Sequence, residues 1–275
     1  MATPTENLSV LLSREELAFL LYLLKTDFIP GLDPDPLGDA GKEQNTLALA
    51  HAERALRARD LIMVDQKGEL EVRETLLLMI GTCAYPELMI SLHHFPTNAA
   101  PNRTFWNLRS GVIVAHNRPE APLHSFSMVK GRDLLRQQIV DSCKLMTGEK
   151  PDLPEITTTN QVLKVVRETS AKDLPGAIQK LTSKGTDKRA AKELCAALAG
   201  QHAVSALHLA AQRADQPSLQ EAATVLSGQT STWLMTSREQ PDQVSLKVVN
   251  QADIFDLLMH WTDMVENWPE ISDVS

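Results

Sequence analysis

Histidine is the side chain whose type and spacing come nearest to doing chemistry in this chain. His93 and His94 end one predicted strand, and His116 and His124 lie on the hairpin that follows. Cross-strand neighbours could bring three of these imidazoles together as metal ligands. Adjacent His93 and His94, however, face opposite sides of a strand. No nearby Cys and no HxxxH helix pair supports a metal, so partly buried strand histidines are the simpler expectation. Cys83, Cys143 and Cys195 sit in apolar helical or helix-end surroundings without CxxC spacing, which predicts inert packing. Glu15 and Glu16 are acids at a helix start rather than an acid/base couple. Asp33, Asp35 and Asp39 lie in GLDPDPLGD, which lacks the later bidentate Glu of a calcium loop and is stiffened by Pro; a solvated loop is expected there. There is no GxSxG elbow, Walker loop or GxGxxG. The residues therefore predict no catalytic site, no cofactor site and no metal site, and the chain is not expected to be an enzyme.

The elements that would position such residues are clearer. Ser13 and Glu16 have capping-box spacing ahead of Leu17, Leu20, Leu21, Leu23 and Leu24, which crowd one broad helical face. Thr46–Arg59 reads as a second helix. Leu61–Val64 and Leu70–Val72 read as a small hairpin around Asp65–Gly68. A helix over Arg73–Ile80, a strand over Leu88–His93 and a polar loop Pro96–Arg103 follow. Arg132–Met146 closes the first half, and Thr147–Pro154 is the candidate linker. The second half opens with helices near Thr159–Glu168, Leu174–Leu181 and Lys188–Leu198, two of them preceded by the capping segments SAKD and TDKR. A strand over His202–Ala210, a polar break at Gln212–Ser218 and a final helix from about Gln251 complete the chain. Glu266–Ser275 is an acidic tail.

Two stretches repeat this pattern. Phe105–Asp141 slides onto Val225–Trp261 by 120 residues without a gap. Each copy reads as two strands, a polar turn between them, and a helix: Phe105–His116, Asn117–Pro122 and Leu123–Val129 in the first, Val225–Thr236, Ser237–Asp242 and Gln243–Val249 in the second. Phe126 and Met128 fall on Leu246 and Val248, and Asp133 falls on Asp253 near each helix start, where a carboxylate suits the helix dipole. Residues 1–150 and 151–275 thus form two halves of similar plan. With strands scarce, one sheet shared by the halves is more economical than two cores and protects edges. The expected fold class is α+β: an antiparallel sheet flanked by helices, with two pseudo-symmetric halves sharing the sheet.

Bulk properties narrow the function. The net charge of −8 carries no chain-wide footprint for nucleic acid or anionic lipid, and the 4% aromatic content disfavours a protein built on stacked bases or sugars. The odd, widely spaced cysteines point to a reducing compartment. The start lacks a basic n-region, and no apolar run approaches the roughly 20 residues of a membrane helix. A cytoplasmic protein is expected. One binding alternative exists. Residues 46–72 place a helix ending in Arg54, Arg57 and Arg59 before a short hairpin, as in a winged DNA-binding motif. Asp65, Glu69 and Glu71 on the hairpin argue against it, so nucleic acid is not the expected partner.

The order of LSREELAFLLYLL, a proline-bearing loop, AERALRARDLI, a short hairpin, a third helix and a strand after AYPELMISL resembles the EspG-type chaperones of ESX (type VII) secretion systems. The resemblance covers the first half best and the second half in pattern. It implies an antiparallel sheet with pseudo-symmetric halves, no catalysis and a cytosolic chaperone or adaptor that binds a helical secreted client. Such a role needs an exposed apolar surface beside the sheet. No partner-binding residue is named by a motif. Pro96–Arg103 and Gln212–Leu219 are candidate surfaces as exposed loops beside strands.

Overall fold

Local hydrogen bonding starts the first helix where the sequence places it. The Ser13 hydroxyl accepts the Glu16 backbone N–H at 3.1 Å, and the Glu16 carboxylate accepts the Ser13 N–H at 2.8 Å. Two donors orphaned by the helix start are satisfied reciprocally. The computed structural model describes residues 8–26, 28–32, 37, 41–120, 122–145, 150–201, 203–212, 218–240 and 242–266. Asp33, Asp35 and Asp39, and parts of the expected linker, the polar break Gln212–Ser218 and the acidic tail, lie outside the described residues.

In chain order the first half holds β1 (Ser9–Leu12), α1 (Arg14–Leu23), α2 (Lys42–Ala58), β2 (Ile62–Val64), β3 (Leu70–Val72) and α3 (Glu74–Ala84). Then come β4 (Leu88–Pro96), β5 (Asn102–Arg109), β6 (Val112–Asn117), β7 (His124–Met128) and α4 (Arg132–Ser142). The second half holds β8 (Ile156–Thr159), α5 (Asn160–Ser170), α6 (Leu174–Thr182), α7 (Lys188–Ala199) and β9 (Ala203–Ala211). It ends with β10 (Leu219–Ser227), β11 (Thr232–Ser237), β12 (Gln243–Val248) and α8 (Gln251–Glu266). Ten strands form one antiparallel sheet in the order β1-β7-β6-β5-β4-β9-β10-β11-β12-β8, and β2 pairs with β3 apart from it. Counted inward from each edge, the sheet repeats one plan. The expected fold class, α+β with pseudo-symmetric halves sharing a flanked antiparallel sheet, is the one observed.

By contacts the chain divides into two compact units: Met1–Met89 with Arg103–Arg132, and Ile90–Asn102 with Asp133–Ser275. In the first unit Leu17 and Leu20 of α1, Leu56 of α2 and Ile80 of α3 pack with Val114 and Phe126 of the sheet. Glu16 does a second job there. Its carboxylate takes both oxygens' bonds from Arg59 Nη1, at 2.9 and 3.0 Å, while Arg59 Nη2 donates to the Leu11 carbonyl. Glu16→Ala loses cap and pair together and is expected to cost about 2 kcal/mol, with the exposed Arg59 end discounted. Glu16→Gln keeps a capping oxygen and should cost about half of that. Equal losses in urea melts would show that the cap contributes nothing.

In the second unit Val166 of α5, Leu181 of α6 and Leu194 of α7 pack on Trp233, Leu246 and Val248 of the sheet. Asp173 and Asp187 cap α6 and α7 through their side chains, as SAKD and TDKR predict, and Thr159 caps α5. Asn250 and Asp253 exchange backbone and side-chain bonds at the start of α8, and Lys150 pairs with Asp253 at 2.9 Å. Helix α4 is tied to α8 by Arg136, which reaches Asp133 at 2.9 Å and the Thr262 hydroxyl at 2.6 Å.

Three expectations are corrected. Phe105–His116 is two strands, not one, because Ser110 and Gly111 take left-handed φ of 49° and 81° and reverse the chain. Val225–Thr236 is broken likewise at residues 228–231. The short edge strands β1 and β8 were not expected; four residues show no period, and their strand character comes from pairing with β7 and β12. The repeat is also not gapless. Val114 pairs with Met128, whereas Val248, the counterpart of Met128, pairs with Trp233. Val114 therefore corresponds to Trp233 and His116 to Met235, an offset of 119, while β7 and α4 keep the offset of 120. The turn before β12 holds one residue more. A gapless alignment would turn every β6 side chain to the wrong face.

Candidate functional site

The structure brings together two of the four singled-out histidines. His116 and His124, facing from β6 and β7, are fully buried, with His116 Nε2 and His124 Nδ1 3.0 Å apart. His116 Nδ1 lies 3.0 Å from the Pro30 carbonyl. A carbonyl only accepts, so His116 is protonated on Nδ1, and its bare Nε2 accepts from His124. The His116 ring stacks on Phe126 with centroids 4.5 Å apart. Burial, helped by neighbouring His124 and Arg118, pulls the His116 pKa down to about 3 against the opposing pull of the Pro30 bond. This is a neutral relay holding a turn. His94 goes elsewhere: its Nδ1 is 2.8 Å from the Ser205 hydroxyl. His93 lies near Phe95, with ring centroids 6.5 Å apart. Among the described residues no three His, Cys, Asp or Glu side chains gather in metal-binding geometry.

The His94–Ser205 contact has the length of a nucleophile–base pair but not its arrangement. Ser205 is 1% exposed, and its hydroxyl donates to the Cys143 carbonyl at 3.4 Å. The Cys143 carbonyl competes with the imidazole for the single hydroxyl proton, and a hydroxyl this buried is not presented to a substrate. Burial pushes the Cys83 and Cys143 thiols up to about 12, the former against an opposing bond from Asn107, and raises Cys195 as well. None is a thiolate near neutral pH.

In residues 46–72 the three arginines have partners within the chain. Arg59 is committed to Glu16 and Leu11, Arg57 pairs with Glu53 at 3.5 Å, and Arg54 Nε donates to the Ala50 carbonyl. Arg59 thus has a structural role within the first unit.

Surface features carry more promise. One cleft of 450 Å3 in the second unit is bounded by His208, Glu221, Thr236, His260 and Trp261, and its walls are as polar as apolar. A groove of 290 Å3 runs between α5 and α6, with Val162 and Val165 as floor and Lys180, Ser183 and Lys184 as rim. In the first unit a shallow apolar site of 290 Å3 is formed by Leu77, Leu78 and Gly81 of α3 beside Arg109 and Val112. The sequence reading missed the α5–α6 groove. Its signal was present: Val162 and Val165 widen an apolar stripe already served by buried Leu163 and Val166. Of the two loop candidates, Pro96–Arg103 is shorter than expected, because Pro96 ends β4 and Asn102 and Arg103 begin β5; residues 97–101 form the exposed connection, with the Thr97 hydroxyl donating to the Gln201 carbonyl. Residues 213–217 of the other lie outside the described residues.

No helix among the described residues is long and apolar enough to cross a membrane. No family model matches the sequence, and no curated relative does. The fold is similar to that of the Mycobacterium tuberculosis type VII secretion system chaperone EspG5, solved in complex with a PE25–PPE41 dimer. The TM-score is 0.71 at 12% identity, over 93% of this chain and 96% of that one. At that identity the likeness is one of fold, and it extends over both halves: the chain has an EspG-like α+β architecture.

Proposed function

We propose that this chain is a non-enzymatic cytoplasmic chaperone or adaptor that binds a helical secretion substrate through an exposed apolar surface beside its sheet. The observation that carries this reading is the correspondence of fold with a secretion chaperone along nearly the whole of both chains. The side-chain chemistry agrees with it. Burial holds the His116 imidazole and the Cys83 and Cys143 thiols neutral and encloses Ser205, while apolar Leu77, Leu78 and Val165 are left partly exposed on helices. A protein whose task is to cover another protein's apolar tip needs such surface and no reactive group.

The test is co-expression. Proteins retained by the tagged chain from native cytosol are identified, then produced with and without it. The expected result is a helical partner that precipitates alone and co-elutes with the chain as a soluble complex. Partners equally soluble alone would overturn the holding role. Salt-sensitive retention of duplex DNA, lost in Arg54→Ala/Arg57→Ala, would replace the reading with the nucleic-acid one.

A further inference from the structure

The helical segment 160–199 differs in charge from the rest of the molecule. It carries eight Lys and Arg against four Asp and Glu, in a chain of net charge −8. The acids there are largely occupied. Asp173 and Asp187 accept backbone N–H groups as helix caps, and Glu193 accepts the Thr230 hydroxyl. Neither Lys180 nor Lys184 meets a carboxylate at ion-pair distance among the described residues; Lys180 Nζ instead donates to the Thr169 hydroxyl at 3.1 Å, which holds it over the groove. Beside these cations, on the α5 side of the groove, lies apolar floor. Leu163 and Val166 already bury the inner face of α5, yet Val162 lines the groove and Val165 is 40% exposed.

We infer that the α5–α6 groove is the seat of an acidic amphipathic helix from a protein partner, its apolar face on Val162 and Val165 and its carboxylates against Lys180 and Lys184. This rests on the reading of the chain as a binder of helical clients. Two packed helices offer the ridges and grooves into which a third fits. The cavity, 290 Å3, falls just under the range of enclosed small-molecule pockets, about 300 Å3 and above. An open groove of that size suits a few projecting side chains. Charge complementarity supplies selection, because the net charge of −8 disfavours an acidic partner on the chain as a whole while a local cationic face favours it.

The probe is a fluorescein-labelled peptide of about 16 residues, with Leu at helical spacing and Glu on the flanks, compared with its Glu-to-Gln counterpart. Anisotropy titrations use the full chain, and circular dichroism melts check that each variant folds. The Glu peptide is expected to bind at least about tenfold more tightly than the Gln peptide, with the difference shrinking as salt rises. Lys180→Glu/Lys184→Glu and, separately, Val165→Asp should each weaken it about tenfold, whereas Lys164→Glu on the same helix should change it less than about twofold. Equal affinity for the two peptides, no saturable binding, or full binding by Val165→Asp overturns the inference. So does displacement of the peptide by duplex DNA at equal charge concentration. The wider reading fails separately. If the groove variants hold a co-expressed client as well as the wild type, the groove assignment falls and the chaperone reading stands. If the wild type holds no client, the chaperone reading falls whatever the peptide does.

Discussion

Lowering the pH from 7.5 to 4 is expected to destabilise this protein steeply, and replacing His116 should flatten that dependence. The folded state holds His116 neutral with a pKa of about 3, against 6.5 for the free side chain, chiefly through burial. Between those values the unfolded chain binds the extra proton and the folded chain does not. The stabilisation is therefore complete above about pH 6.5 and is lost as pH falls toward about 3, at up to about 1.4 kcal/mol per pH unit. The geometry explains why the folded state resists. A proton added to Nε2 would displace the His124 N–H it accepts at 3.0 Å, inside a stack with Phe126 and next to Arg118. Glu155 and Asp253, whose pKa values are lowered, add acid lability of the same sign. The contrast with a variant isolates the histidine. His116→Phe strands the Pro30 carbonyl and should be less stable at pH 7.5, yet its urea midpoint should fall less between pH 6.5 and 4 than that of the wild type. Parallel curves for the two proteins would remove His116 as the source.

Gly228→Ala is expected to cost about 3 kcal/mol or more, lowering the melting temperature by about 6 °C or more for a chain of this size. The residue follows β10, where its N–H donates to the Ser231 carbonyl across the turn. A methyl group there would stand 2.6 Å from the Ala197 Cα and 2.9 Å from the Ala197 carbonyl oxygen. These are backbone atoms of α7, so no rotamer change relieves the clash; either the helix or the turn must shift. Ala197→Gly removes only the side-chain part of the conflict and should rescue Gly228→Ala only in part. The comparison is Gly111→Ala in the corresponding turn of the first half. Gly111 has φ +81° and nothing within 4 Å of an added Cβ, so its variant should lose only about 1 kcal/mol of backbone preference. If the two alanine variants melt together, close packing of the β10–β11 turn on α7 is wrong.

These predictions turn on features of different legibility. The helix starts were readable because capping is local: Ser13 with Glu16, Asp173, Asp187 and Asn250 with Asp253 each act within a few residues, and the structure shows their bonds. The β2–β3 hairpin and the helix α8 were readable for the same reason, through a turn glycine and a sustained apolar period. The likeness of the halves was visible too, since β7 with α4 and β12 with α8 keep one offset.

The amino-acid sequence alone thus determined where the helices lie and the caps of α1, α6, α7 and α8, the β2–β3 hairpin and the repeated plan, but not the β5–β6 and β10–β11 hairpins or the earlier start of α2 at Lys42. Tertiary structure decided the rest. Whether Ser9–Leu12 and Ile156–Thr159 are strands depends on a partner more than 80 residues away in each case. Which face Val114 and Trp233 present depends on register, and one extra turn residue reverses it without changing composition. His116 and Arg59 looked like a possible ligand and a possible phosphate contact; the Pro30 carbonyl and the Glu16 carboxylate, 86 and 43 residues distant, made them internal supports. The α5–α6 groove belongs with these. Val165 is an ordinary helix residue in the chain and becomes exposed floor beside two lysines only when α6 packs next to it. Short-range bonding is encoded in neighbours; burial, charge environment and register are properties of residues brought together from far apart.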